Sequence, residues 1–207
     1  MLLRELKSIE KTGSGYVLHG DAADVLLIFM TDDVIRVRVS FRRDFKEESY
    51  TLVTTAWEDR MDELLKDERT RIKSLDIPCE EKNGKLVFTT GTCILEIRKT
   101  PFFLTLKTLD GAVVYQDLKE RAFEKDYLGR LAHYSKMDPV NDHFYGFGEK
   151  TGCLDKKGRR LRMSPKDAIG HDPEFGDPMY KHIPFYIRIN EKTAYAIGLF
   201  YHNSYDS

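Results

Sequence analysis

Cysteine is scarce in this sequence. The 207 residues contain three cysteines, Cys79, Cys93 and Cys153, and no Cys-x-x-Cys pair. An odd number of widely spaced cysteines argues against a disulfide framework, and the missing pairs argue against a zinc ribbon. Reduced thiols are therefore expected, as is usual in the cytoplasm.

A charge excess of either sign is also missing, as is a long apolar run. Lys and Arg total 33 against 34 Asp and Glu, a formal net charge of −1. Nucleic acid is not expected as a partner, because phosphate binding requires a net positive face. No apolar run approaches the roughly 20 residues that cross a membrane, and the first residues are too charged for a signal peptide. We expect a cytoplasmic protein with no membrane partner.

Strand patterns dominate the chain. Ile35, Val37 and Val39 alternate with Arg36 and Arg38, which is the period of a half-buried strand. Further strands are predicted at 25–30, 50–55, 86–90, 93–99, 102–108, 112–116 and 194–202, with Asn-Gly and Asp-Gly turn signals at 83–84 and 110–111. Many short strands between turns predict a mainly β fold, an antiparallel β-sandwich, as a single domain over residues 1–207.

One helix is predicted, near residues 57–72. Trp57, Met61, Leu64 and Leu65 follow the i, i+4, i+7, i+8 spacing of an amphipathic helix, with charged residues between them. We expect this helical insertion to cover an edge or one end of the sandwich.

The stretch from 143 to 187 is densest in residues that need a particular backbone. Gly146 and Gly148 alternate with aromatic residues, and glycine inside a strand marks a bulge or a close backbone approach. Five cations lie within 156–162, and four acids follow them: Asp167, Asp172, Glu174 and Asp177. An apolar strand then begins at Ile183. The pattern predicts strand, long ordered polar loop, strand, and such a loop is usually functional.

The residues of this stretch support ligand contact better than catalysis. Nothing marks a base beside Cys153, so an inert thiol is expected. The histidines lack the spacing of paired ligands on a helix, so neither a metal site nor a cofactor is expected. Two carboxylates are needed for glycoside hydrolysis, but spacing alone assigns no acid of residues 149–177 to a catalytic role. The cations of 156–162 are expected to pair with nearby aspartates: Asp155, Asp167 and Asp172.

The same stretch carries a series of short motifs in order. Residues 144–152 read FYGFGEKTG, followed by LDK at 154–156 and GRR at 158–160. DA at 167–168, DPE at 172–174, DP at 177–178 and YKHIPFY at 180–186 complete the series. This series resembles glycoside hydrolase family 31, the family of α-glucosidases and α-xylosidases, closely over about 142–203. The resemblance implies the family's N-terminal β-sandwich, which is of galactose mutarotase-like type.

The resemblance also implies a domain without catalytic residues of its own. In this family an aspartate nucleophile and an aspartate acid act with retention on a C-terminal (β/α)₈ barrel, so the chain is expected to be the N-terminal piece of a longer enzyme. A loop of the N-terminal domain helps to shape the sugar site, and its aspartate matches Asp167. Ile169 stands where members vary. The expected substrate-binding residues are Asp167 and Ile169, and the expected partners are an α-glucoside or α-xyloside and the barrel of the same parent chain.

Two other functions stay open at this point. A stand-alone carbohydrate-binding module would present exposed aromatic rings, for which Phe175, Tyr180 and Tyr201 are the candidates. An aldose epimerase-like enzyme is supported by fold analogy alone. If the chain is an N-terminal piece, it should instead expose an apolar docking face and self-associate when isolated.

Overall fold

A computed structural model describes residues 1–45, 50–58, 61–65, 69–203 and 207. The chain divides into two compact units, Met1–Lys136 and Met137–Ser207. The single domain over 1–207 therefore stays a prediction.

The described part of the first unit consists almost entirely of strands. Its elements, in chain order, are β1 (Leu6–Lys11), β2 (Tyr16–Gly20), β3 (Asp24–Phe29), β4 (Ile35–Ser40), β5 (Thr54–Thr55), α1 (Met61–Leu65), β6 (Thr70–Arg71), β7 (Cys79–Lys82), β8 (Lys85–Thr89), β9 (Cys93–Arg98), β10 (Phe103–Thr108), β11 (Val113–Gln116), β12 (Phe123–Lys125) and β13 (Leu131–His133).

Two antiparallel sheets form a sandwich in this unit, with strand orders β1-β2-β3-β4 and β11-β10-β9-β8-β7. Inward residues alternate with outward ones along the strands, so each sheet has one apolar face. Leu18 and Leu27 of the first sheet and Phe88 and Ile97 of the second are completely buried in one hydrophobic core. The predicted antiparallel β-sandwich is therefore confirmed.

The predicted strands of this unit agree with the observed ones within about two residues, apart from the segment 50–55. Asn83 and Gly84 adopt φ values of 53° and 70° between β7 and β8, so this dipeptide makes the expected tight turn. In the segment 50–55, only Thr54 and Thr55 form a strand. Tyr50 and Val53 are largely exposed, and their β-branched or aromatic character alone did not place them in a sheet.

The predicted helical insertion is present but short. Among the described residues α1 (Met61–Leu65) is the one helix. No helix in this part of the chain is long and apolar enough to cross a membrane. Thr70 and Arg71, which were predicted to continue the helix, instead pair in parallel with Thr54 and Thr55. The backbone N–H groups of Thr70 and Ile72 donate to carbonyl groups in and next to β5, and this tertiary pairing overrides the helical periodicity. Residues 59–60 and 66–68 of the predicted helix lie outside the described residues.

The second unit has a three-stranded antiparallel sheet, with order β14-β15-β16. Its strands are β14 (Asp142–Gly148), β15 (His182–Asn190) and β16 (Tyr195–Phe200). Residues 149–181, called the arm below, connect β14 to β15 without a helix or strand among them. The predicted succession of strand, long polar loop and strand is therefore confirmed.

Two glycines lie at the end of β14, directly before the arm, where the sequence predicted a bulge or a close backbone approach. Gly146 and Gly148 have φ values of 119° and 81°, and the pairing of β14 with β15 shifts register between them. A Cβ atom at Gly146 would lie 2.8 Å from the carbonyl oxygen of Phe185, and one at Gly148 would lie 2.6 Å from the backbone nitrogen of Ile183. Both positions therefore need glycine, for the backbone conformation and for the close approach of β15.

Candidate functional site

The two ends of the arm are fastened to each other by Glu149 and Lys181. The backbone N–H of Glu149 donates to the carbonyl oxygen of Lys181 at 3.0 Å. The backbone N–H of Lys181 in turn donates to the Glu149 carboxylate at 3.2 Å. Glu149 thus closes the base of the arm, which accounts for its charge without a catalytic role.

A buried ion pair crosses the arm. The side chain of Lys150 is only 1% exposed, and its ammonium group lies 2.6 Å from Oδ1 of Asp177. The same ammonium group donates to the carbonyl oxygen of Arg162, whose N–H donates to the other oxygen of Asp177. These contacts tie the start, the middle and the end of the arm into one structure, and no sequence pattern had indicated them.

The basic run supports the arm from within. Lys156 is buried, and its ammonium group donates to the carbonyl oxygens of Thr151 and Cys153 at 2.9 and 2.5 Å. Lys157 and Arg159 also donate to carbonyl oxygens. These three cations thus meet backbone carbonyls and not the predicted aspartates, because carbonyl groups of a loop lack strand partners and require donors.

Two aspartates hold turns of the arm. Asp155 accepts hydrogen bonds from the N–H groups of Phe144 and Lys157 and from Nδ1 of His143. Burial raises the pKa of the Asp155 carboxyl, but these hydrogen bonds outweigh it and lower the pKa to about 2. Asp172 accepts from the N–H groups of two following residues, which likewise lower its pKa. Asp155 and Asp172 are therefore explained by local structure.

The two predicted substrate-binding residues lie on the surface of the arm. Asp167 is exposed, and Ile169 is 86% exposed. The Asp167 carboxylate lies beside the phenol of Tyr180 and raises the pKa of Tyr180. Beside them, the N–H of Lys166 donates to the carbonyl oxygen of the buried Met179 at 3.2 Å. Asp167 is thus accessible to a ligand while the backbone next to it is held.

The other candidates are the cysteines, the metal-ligating side chains and three aromatic residues. All three cysteines are free thiols, and Cys153 is exposed. No group of three or more metal-ligating side chains occurs in the described part of the chain. Phe175, Tyr180 and Tyr201 are exposed, as a carbohydrate-binding module would require, although the Arg159 guanidinium lies 5.4 Å from the centre of the Phe175 ring.

An apolar face is exposed on the sheet of the second unit. Alternate residues of β15 point to this face and are at least one-third exposed, and β16 contributes one aromatic ring opposite Phe185. This exposed apolar face consists of Ile183, Phe185, Ile187, Ile189 and Phe200. The expected apolar surface is therefore present, and only the strand register shows which residues form it.

Comparison with known families identifies the domain. A family model described as the glycosyl hydrolase 31 N-terminal galactose mutarotase-like domain matches residues 24–207. The chain belongs to this family. The resemblance in the motifs of 144–186 is confirmed, and the chain is the N-terminal galactose mutarotase-like domain of this family.

Known relatives are much longer than this chain. An α-glucosidase of Bacillus thermoamyloliquefaciens is 28% identical over 192 residues, which are 92% of this chain and 22% of that protein. A Flavobacterium johnsoniae family 31 dextranase, solved with glucose, superposes with a TM-score of 0.82 at 20% identity, over 100% of this chain and 23% of the dextranase. A family 31 α-xylosidase from a soil metagenome, solved with xylose, superposes with a TM-score of 0.64 at 13% identity, over 88% of this chain and 26% of the xylosidase. The two structures share the fold, and the comparisons favour neither a stand-alone binding module nor an epimerase.

Proposed function

We propose that this domain shapes the sugar site of an α-glucosidase-like retaining glycoside hydrolase, whose catalytic barrel belongs to the same parent chain. The names of the relatives support an α-glucoside or α-xyloside as substrate. The short span of the chain in each relative supports a parent protein with further domains. The cytoplasmic location remains a prediction, which fractionation of cells would test.

The observation that supports this role is that the arm is held in place by its own internal contacts. Buried Lys150 and Lys156 and the carboxylate of Asp177 fix the loop internally, so little ordering is left for a sugar to impose. Asp167 remains exposed on this fixed support. Its carboxylate can accept hydrogen bonds from sugar hydroxyls, a charge-assisted contact of about 1.5–3 kcal/mol when desolvated. Ile169 is also exposed and would add an apolar contact to the sugar. The size of this contact would depend on which side chain occupies position 169.

The first prediction concerns Asp167 in the intact parent enzyme. Asp167→Ala should lower kcat/KM for a disaccharide about 10- to 100-fold, because the variant loses the charge-assisted contact to the sugar. Its melting temperature should stay within about 2 °C, since exposed substitutions cost little. Steady-state kinetics and thermal unfolding measure both quantities.

Two controls separate sugar contact from positioning of the arm. Glu174→Ala removes another exposed carboxylate of the arm and should leave the kinetics unchanged. Tyr180→Phe removes the phenol that Asp167 contacts but keeps the carboxylate, so its effect should be small. Unchanged kinetics in Asp167→Ala would remove this residue from the sugar site, and an equal loss in Tyr180→Phe would assign the effect to arm geometry.

The exposed apolar face is proposed as the surface that meets the rest of the parent chain. A contiguous apolar surface on a sheet is unfavourable in water, and it marks an interaction site. When the chain is isolated, a second copy is the partner at hand. We therefore expect self-association that increases with concentration, measured by sedimentation velocity.

Substitution on the face should suppress this association. Ile187→Asp places a charge at the centre of the apolar face and should shift the isolated chain toward monomer. Leu154→Asp is the matched control, because Leu154 is 78% exposed but lies in the arm. A monomeric wild-type chain, or an equal effect of both variants, would contradict self-association through this face.

A further inference from the structure

A groove runs over the outer face of the second sheet of the first unit, on the side away from the hydrophobic core. Its volume is about 460 Å³, within the roughly 300–1,000 Å³ typical of small-molecule sites. The groove is lined by outward residues of β8 to β11 and by Pro101 and Lys119 beside them. It belongs to the first unit, whereas the arm belongs to the second, so the two sites share no residues.

Positive charge dominates this groove although the chain as a whole is slightly negative. Four cations line it, namely Lys85, Arg98, Lys107 and Lys119, against the single carboxylate of Glu96. This excess of three positive charges contrasts with the formal net charge of −1 for the whole chain. A concave surface with charges of one sign concentrates ligands of the opposite sign.

The carboxylate organises two of the cations. The ammonium group of Lys85 lies 2.8 Å from one oxygen of Glu96, and that of Lys107 lies 2.6 Å from the other. Burial raises the pKa of Glu96, but hydrogen bonds from Lys107 and Lys85 outweigh it, so the pKa lies below its ordinary value. Glu96 therefore stays ionised and holds two ammonium groups side by side, which lowers the entropy that an incoming anion must remove.

The floor of the groove offers polar and apolar contacts together. Thr105 points outward from β10, yet it is only 4% exposed, and its hydroxyl oxygen accepts a hydrogen bond from the amide of Gln116 at 3.0 Å. Phe103, two residues earlier on the same face, is paired across the sheet with Arg98. An aromatic ring beside cationic and amide groups suits a ligand with an apolar ring face and an oxyanion.

We propose that this groove is a binding site for a small ring-shaped organic anion that carries a phosphate or a carboxylate, such as a sugar phosphate or a uronic acid. The oxyanion lies among the ammonium groups of Lys85, Lys107 and Lys119. The ring lies over the floor formed by Phe103 and Gln116.

Calorimetric titration of the full 207-residue chain at low salt tests the site, with glucose 6-phosphate, glucuronate and glucose as probes. Saturable binding is expected for at least one of the charged probes and not for glucose, and the two charged probes distinguish phosphate from carboxylate. Binding should weaken as salt is added, because the contact is electrostatic and partly exposed.

Variants locate the binding. Lys107→Gln should weaken it about tenfold, because it removes a cation and uncovers an oxygen of Glu96. Lys119→Gln, at an exposed position where folding is not at risk, should weaken it about threefold. Lys7→Gln removes an equal charge at an exposed position of β1 and should leave binding of the probes unchanged. The proposal is overturned if neither charged probe binds, if glucose binds as well as they do, or if Lys7→Gln weakens binding as much as Lys119→Gln.

Discussion

Lys150→Met is expected to destabilise the second unit by about 3–5 kcal/mol, because it leaves the carboxylate of Asp177 covered without its counter-ion. The side chains of Lys150 and Asp177 are 1% and 12% exposed, so water reaches neither charge freely. The remaining hydrogen bond, from the N–H of Arg162, does not neutralise the carboxylate. Native-state hydrogen exchange of peptides from β14 and β15 measures the loss in this unit.

A double-mutant cycle identifies the cause of that loss. Lys150→Met with Asp177→Asn removes both charges, so the pair should cost clearly less than the sum of the two single variants. Lys157→Met is the matched control. Its ammonium group also donates to a carbonyl oxygen, that of Val140, but this hydrogen bond is exposed to solvent, so the substitution should cost less than about 1 kcal/mol. Additive effects of Lys150 and Asp177 would show that the two residues act independently.

Phe88→Ala is expected to cost about 3–5 kcal/mol in the first unit, because a completely buried ring is replaced by a cavity. The ring lies 5.1 Å from that of Tyr16 and 5.3 Å from that of Phe29, measured between centroids, so both of these aromatic residues lose a contact. Equilibrium unfolding in urea, followed by hydrogen exchange of β8 and β9, measures the change.

Phe103→Ala tests the orientation of the same sheet. Phe103 faces the groove and not the core. Its removal should therefore lower the free energy of unfolding by only about 1 kcal/mol, because only part of its apolar contact is lost. If Phe103→Ala costs as much as Phe88→Ala, the two faces of the sheet are assigned wrongly. The comparison therefore also tests whether the outer face is open to a ligand.

Much of the fold could be predicted from local patterns. Alternation at Ile35–Val39 and the turn dipeptides near Asn83 and Asp110 are properties of a few adjacent residues, so strands and turns followed from them. The short strand at Thr70 and Arg71 could not be predicted, because its pairing with Thr54 and Thr55 is a non-local contact. The amphipathic spacing of Trp57 to Leu65 competed with that pairing and is realised over Met61–Leu65.

The candidate site could likewise be predicted only in part from the sequence. The motif order of 144–186 identified the family and pointed to Asp167 and Ile169, whose contact with a sugar remains a prediction. The pairing of Lys150 with Asp177 joins residues that lie far apart in the arm, and neither residue carries a local signal of burial.

The family, the β-rich architecture and the glycines that open the arm were determined by short-range sequence features, because backbone preferences and motif order act within a few residues. The buried ion pair of the arm, the exposed apolar face and the basic groove were decided by the tertiary structure alone. The exposed apolar face and the basic groove depend on which strands pair and in which register, because a shift of one residue would turn every side chain of a strand to the other face. The ion pair depends on a non-local contact between the two ends of the arm, which contains no strand.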